Sequence, residues 1–184
     1  MAIPFVHANP VEYEDRTLYR VSLTDSVAIE VTVTNTLSTA RMWLRKIIFY
    51  NRRHAADLQV GVACHGQRPD VLTLSVKRKC LIVSLPGVIN NESCLVRFLG
   101  NGDVSFFTTG PLPESLHLHS YANALEFGNE EQSFTDLAER VTRRRIELDA
   151  AVAGGDWSTW PLSQDQILLS SVQAQVSFLA ALMH

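Results

Sequence analysis

The 184-residue chain carries no surplus of positive charge: its 16 lysines and arginines face 19 acids, for a formal net charge of -3. No global field therefore draws it to nucleic acid, and any basic contact surface has to be local. Cysteine is scarce as well. The three present, Cys64, Cys80 and Cys94, are odd in number and form no C-x-x-C pair, which favours reduced, buried thiols over a disulfide framework. No apolar run reaches the roughly 18 residues that a membrane helix needs. The opening MAIPFVHANPVEYEDR lacks a basic start followed by a long apolar stretch, so no secretory leader is expected. Together these absences predict an intracellular protein, nuclear or cytosolic, with no internal repeat and no membrane span.

What is present is ordinary globular material. Hydrophobic residues make up 46% and charged residues 19%, too apolar and too weakly charged for a disordered chain. Residues 1–184 read as a single domain, with a loose, proline-containing start over residues 1–14. A domain of this size buries roughly two-thirds of its unfolded surface.

Periodicity then divides the chain. TLYRVSLTD and SVAIEVTVTN alternate as two strands around a polar turn. TARMWLRKIIFYNRR follows as an amphipathic helix with Asn35, Thr36 and Ser38 as cap candidates and a basic end at Arg45, Lys46, Arg52 and Arg53. DLQVGVAC, VLTLSV and CLIVSL are closely spaced strands, the last two separated by Lys77, Arg78 and Lys79, which predicts an antiparallel meander in the middle of the sheet. NNESCLVRFLG reads as a short helix capped near Asn90 or Asn91, and DVSFFTTG as a strand. ESLHLHSYANALEF reads as helical, SFTDLAERVTRRRIELDAAVAG as one long helix ended by Gly154-Gly155, and Ser163 to Met183 as a final helix. Strands first and helices last give an α/β fold, a mixed central sheet flanked by helices.

Four stretches of this pattern resemble one family. IEVTVTNTLSTARMW, from Ile29 to Trp43, is similar to a segment ahead of the nuclease core in plant proteins related to the Werner-syndrome exonuclease. GVACHG stands where that family carries a glycine followed by Asp-x-Glu, which puts Ala63 and His65 at the two acids. TLSVKRKCLIVSL resembles the next two family strands, with Cys80 and Leu81 in step. LSQDQILLSSVQAQVSF resembles the C-terminal motif, with Leu169 and Gln175 at its two tyrosines and Gln173 at its last acid. In the weaker middle match Gly110 fits the family glycine and Glu114 its second aspartate; Asp136 in FTDLAERV falls at a structural aspartate. The chain thus resembles the DnaQ-like (DEDD) 3'-5' exonucleases, and the resemblance implies a ribonuclease H-like fold.

The same resemblance argues against the family's activity. Two-metal nucleases hold their ions about 4 Å apart with acidic side chains, and Mg²⁺ or Mn²⁺ wants hard oxygen ligands. Ala63 offers no ligand, His65 a neutral nitrogen, Gln173 a weak amide oxygen, and Leu169 has no hydroxyl to orient water; only Glu114 stays acidic. The expectation is a catalytically inactive domain without cofactor, serving as a protein-interaction or regulatory scaffold. Two alternatives stay open: a nucleic-acid-binding protein that does not cleave, and a residual metal-dependent exonuclease.

No replacement chemistry is evident. Cys64 and His65 are neighbours on a strand and face opposite sides. His117 and His119 diverge if their segment is helical, and Ser115, Ser170 and Ser171 have no G-x-S-x-G context. The tryptophans of DWSTW are expected to anchor the last helix, and the histidines to lie near the surface. Interaction candidates are Lys77, Arg78 and Lys79 together with Arg140, Arg143, Arg144 and Arg145. Arg140 and Arg144 share a face if their helix continues, and the plain reading of the cluster is a solvated helix surface paired with Glu139 and Glu147. The partner expected is another protein, with self-association or weak nucleic-acid binding as further options.

Overall fold

The structure is a computed structural model that describes residues 3–51, 58–66, 68–85, 93–127 and 132–184. Alternating apolar residues build β3 (Thr17–Ser22) and β4 (Ala28–Thr34), an antiparallel pair. The expected meander forms from β5 (Leu58–His65), β6 (Val71–Val76) and β7 (Lys79–Ser84), all antiparallel. β4 runs parallel to β7, and β8 (Val104–Thr108) parallel to β5. With β1 (Phe5–Val6), β2 (Val11–Glu12) and β9 (Tyr121–Asn123) the result is one nine-stranded mixed sheet of order β1-β3-β4-β7-β6-β5-β8-β9, with β2 also on β3. The N-terminal stretch lies at the surface, tied along β3 by β1 and β2.

Helices cover both faces. β6 shows why: Leu72, Leu74 and Val76 pack into a core with α1 (Leu37–Tyr50) and α2 (Cys94–Leu99), through Trp43, Ile47, Leu95 and Phe98. The opposite face of the sheet packs on α3 (Phe134–Thr142) and α5 (Gln164–Ala181), with α4 (Ala150–Ala153) beside them. α1 starts after Thr36, one of the expected caps, although no side chain caps its first turn. α2 is capped by Ser93, whose hydroxyl accepts from Val96 N at 3.2 Å; Asn90, Asn91, Arg52 and Arg53 lie outside the described residues. α5 is capped at Ser163, whose hydroxyl accepts from Gln166 N while the Gln166 amide oxygen accepts from Ser163 N. Among the described residues no helix is long and apolar enough to cross a membrane.

Two helical expectations fail. ESLHLHSYANALEF is a single turn at Glu114–Leu116, a left-handed residue at His117 (φ 50°), strand β9, and a second turn at Ala124–Glu126. Pairing with the open edge of β8 and burial of Leu116 and Ala124 outweigh local helix propensity. The long Ser133–Gly154 helix also breaks, because α3 ends at Arg143, which is left-handed at φ 59°. The Thr142 hydroxyl then accepts from Arg144 N, and buried Ile146 draws the chain into the core. Arg140 and Arg144 therefore share no helical face. A left-handed residue with a Cβ is strained by about 1–2 kcal/mol, and glycine's extra freedom when unfolded offsets part of that. Arg143→Gly should accordingly stabilise by about 0.5–1 kcal/mol, read as a higher midpoint in thermal unfolding. An unchanged or lower midpoint would mean that the arginine has contacts outweighing the strain.

Candidate functional site

The positions at issue gather where β5 and β8 end. Alternation along β5 turns Gly61, Ala63 and His65 toward α5 and leaves Cys64 packed against the α1 core. α5 lies very close: a Cβ on Gly61 would stand 2.0 Å from Ala174 O and 2.5 Å from Phe178 N. Val62 is opposite Thr108, so the chain leaving β8 through Thr109 and Gly110 passes Ala63. Gln173 reaches this point from α5, its amide nitrogen 3.0 Å from where a Gly110 Cβ would sit. Gln173 thus faces Gly110 beside the strand that carries Ala63. Glu114 stands nearby in the chain, on the exposed turn after Pro113.

The interface holding α5 here is buried and polar. Thr73, opposite Ala63 on β6, bonds Ser170 hydroxyl to hydroxyl. Ser75 donates to the Gln175 side-chain oxygen, and the Gln175 amide nitrogen donates to Lys77 O at 2.8 Å. Ser177 donates to Gln173 O at 2.9 Å and lies 3.3 Å from the Thr109 hydroxyl. Gln175, at a family tyrosine, therefore fastens helix to hairpin. Leu169, at the other, is buried and lines an apolar pocket of about 350 Å³ with Ile146, Leu148 and Val152. Asp136 closes the α3 cap, accepting from the Ser133 hydroxyl at 2.6 Å.

His65 departs from expectation. It is not near the surface but buried, its ring stacked on Trp157 with centroids 4.1 Å apart and planes 14° off parallel. Trp157 is held by its own indole N–H, which donates to Ala153 O at 3.1 Å. The Gln166 amide nitrogen donates to Asp156 O, tying the same loop to the start of α5. The tryptophan is thus an anchor, 2% exposed. Burial pushes the His65 pKa down to about 4, so the ring is neutral at physiological pH. Among the described residues, two buried side-chain atoms have no hydrogen-bond partner, His65 Nε2 and Gln173 Oε1. Both belong to positions where the family pattern has metal-binding acids.

Burial also disposes of Cys64 and Cys80 as nucleophiles. It pushes Cys64 up to about 12 and Cys80 higher still. His117 and His119 are exposed, on a bent segment instead of the expected helix. The Asp156 carboxylate falls to about 2 because Ser158 and Thr159 donate to it; it shapes the loop that carries Trp157. Among the described residues no three His, Cys, Asp or Glu side chains cluster to hold a cation.

The basic candidates are dispersed. The register of β6 on β5 puts Lys77, Arg78 and Lys79 at the opposite end of the meander from Ala63 and His65. Arg144 pairs with Asp25 at 3.2 Å and Arg145 with Glu147 at 3.0 Å, while Arg140 and Arg143 are exposed. The His65–Trp157 stack and the Gln175 bridge went unforeseen. Their only sequence trace is a tryptophan ahead of α5 and a glutamine inside it.

A nine-stranded mixed sheet whose last helix crosses its central strands decides the architecture. The fold is ribonuclease H-like. In overall shape the chain is similar to the catalytic core of RRP6 from Trypanosoma brucei, with a TM-score of 0.60 at 12% identity over 83% of this chain and 45% of that one. That structure is of the C496S mutant, and a second structure of the same core gives 0.55 at 11% identity over 85% and 48%. RNase D of Escherichia coli, an exoribonuclease involved in structured RNA processing, aligns with a TM-score of 0.49 at 14% identity over 74% and 42%. The chain spans less than half the length of each. No family model and no curated protein matches the sequence.

Proposed function

We propose that this domain is a non-catalytic member of the DnaQ-like exonucleases, related to the plant Werner-syndrome-like proteins, that works as a protein-interaction scaffold. One observation carries the reading. At the junction of β5, β8 and α5 the side chains are Ala63, His65 and Gln173, and the imidazole is fixed against Trp157. Glu114 alone cannot hold a pair of Mg²⁺ ions or activate water between them. The surface supports a protein partner over nucleic acid. Met42, Ile48, Phe49 and Tyr50 expose 41–73% of their area along α1, interleaved with exposed Arg41, Arg45 and Lys46, a mixed apolar and basic surface suited to a protein partner. Among the described residues, by contrast, Lys77, Arg78 and Lys79 stand at the opposite end of the meander from the strand end that carries Ala63 and His65. A titration with Mn²⁺, followed by the paramagnetic resonance of the free ion, tests the loss of the metal site. No saturable binding is the expected result; tight binding abolished by Glu114→Gln would overturn the reading.

A further inference from the structure

A groove at some distance from Ala63 separates α1 from the outer strands. One half, about 330 Å³, is floored by Leu18, Trp43 and Ile47 and edged by Arg16 and Lys46. The other half, about 320 Å³, runs past Tyr19, Arg20 and Arg78. Glu30 and Lys79 line both halves, so the two adjoin across that ion pair. Five cations therefore ring a single acid, in a chain that has more acids than bases overall.

Two of the nearby acids are already engaged, while Glu12 lies close enough to act on Tyr19. Glu30 accepts from Lys79 at 3.0 Å, and Asp15 accepts from Thr39 and, at 2.9 Å, from Arg16. Among the described residues, Arg20, Lys46 and Arg78 enter no ion pair. Arg78 is also well placed. It follows Lys77, left-handed at φ 57°, in the tight β6–β7 turn, and its carbonyl accepts from Glu30 N at 2.9 Å. That bond fixes the turn against β4.

We propose that this groove receives a short acidic and apolar segment of a partner protein. Its apolar side chains would cover Leu18, Trp43 and Ile47, and its carboxylates would meet Arg20, Lys46 and Arg78. The floor distinguishes this ligand from a nucleic acid strand. Leu18 and Ile47 give bases nothing to stack on, Trp43 is 8% exposed, and Tyr50 on the rim is the one well-exposed ring of this half, where a strand uses a row of them. The inference adds a surface and a ligand chemistry to the scaffold reading. It rests on that reading for its biological use only, so the peptide test and the metal titration fail independently.

A phage-displayed library of random dodecapeptides, panned on the whole chain, is the direct test. Enriched peptides should combine Asp or Glu with Leu, Ile or aromatic residues. The best of them, labelled and followed by fluorescence anisotropy, should bind at least about tenfold more weakly to Lys46→Glu/Arg78→Glu. The neutral pair Lys46→Gln/Arg78→Gln should lose less, and Arg140→Glu, on another surface, should lose nothing. Circular dichroism of each variant verifies folding. Enrichment of basic or featureless peptides, or peptide binding indifferent to Lys46 and Arg78, would overturn the proposal. So would a uridine dodecamer that binds more tightly than the peptide and is lost in the same variants.

Discussion

Gly61→Ala is expected to destabilise this protein severely. The new Cβ would meet the carbonyl oxygen of Ala174 at 2.0 Å, the amide of Phe178 at 2.5 Å and its Cβ at 2.9 Å. The first two are backbone atoms of α5, which cannot rotate away as a side chain would. Either α5 lifts from β5, loosening the Ser170 and Gln175 bonds, or the central strand bends. Overpacking of this kind costs about 3 kcal/mol or more, which for a chain of this size lowers the thermal midpoint by about 6–12 °C. Gly154→Ala is the matched control, because its Cβ would come no nearer than 3.4 Å to another atom. Thermal unfolding of the two variants decides the matter; equal midpoints would mean that α5 does not rest on Gly61 as described.

Acid should unfold the protein in large part through His65. Burial holds its folded pKa at about 4, against about 6.5 for an unfolded histidine. Between those values the unfolded chain binds the extra proton and the folded chain does not, so stability rises with pH. The contribution is fully present above about pH 6.5 and is lost as the pH falls toward 4, where it amounts to about 3 kcal/mol. His65→Phe keeps a ring against Trp157, removes the titrating nitrogen, and removes an unpartnered buried Nε2. Urea unfolding at pH 7 and pH 4 should show the natural chain losing about 3 kcal/mol more than the variant. Parallel losses in the two proteins would place the acid sensitivity elsewhere.

The strands and the last helix were legible because their signals are local. Val27 to Val33 alternate, three apolar runs are separated by short polar turns, and Ser163 with Gln166 spells a helix start. α3 was legible only at its beginning. Nothing in RRRIEL announces a stop; the helix ends because Ile146 is wanted in the core and Arg144 reaches Asp25, both tertiary causes. The segment after Pro113 looked helical by composition, yet the free edge of β8 claims Tyr121–Asn123 as a strand. At the site, Ala63 and Gln173 were singled out only through the family resemblance, since neither residue type carries a signal of its own. The burial of His65 did not, because it depends on Trp157, far along the chain and brought close only by the loop before α5.

The central claim is that the fold persists without its chemistry, and a trimming assay addresses it most directly. Labelled single-stranded and recessed-end DNA and RNA would be incubated with purified protein in Mg²⁺, in Mn²⁺ and in EDTA, and products resolved to the nucleotide. The account predicts full-length substrate in every lane, whatever the metal. Metal-dependent shortening from the 3' end that disappears in Glu114→Gln would contradict it and make the chain an enzyme.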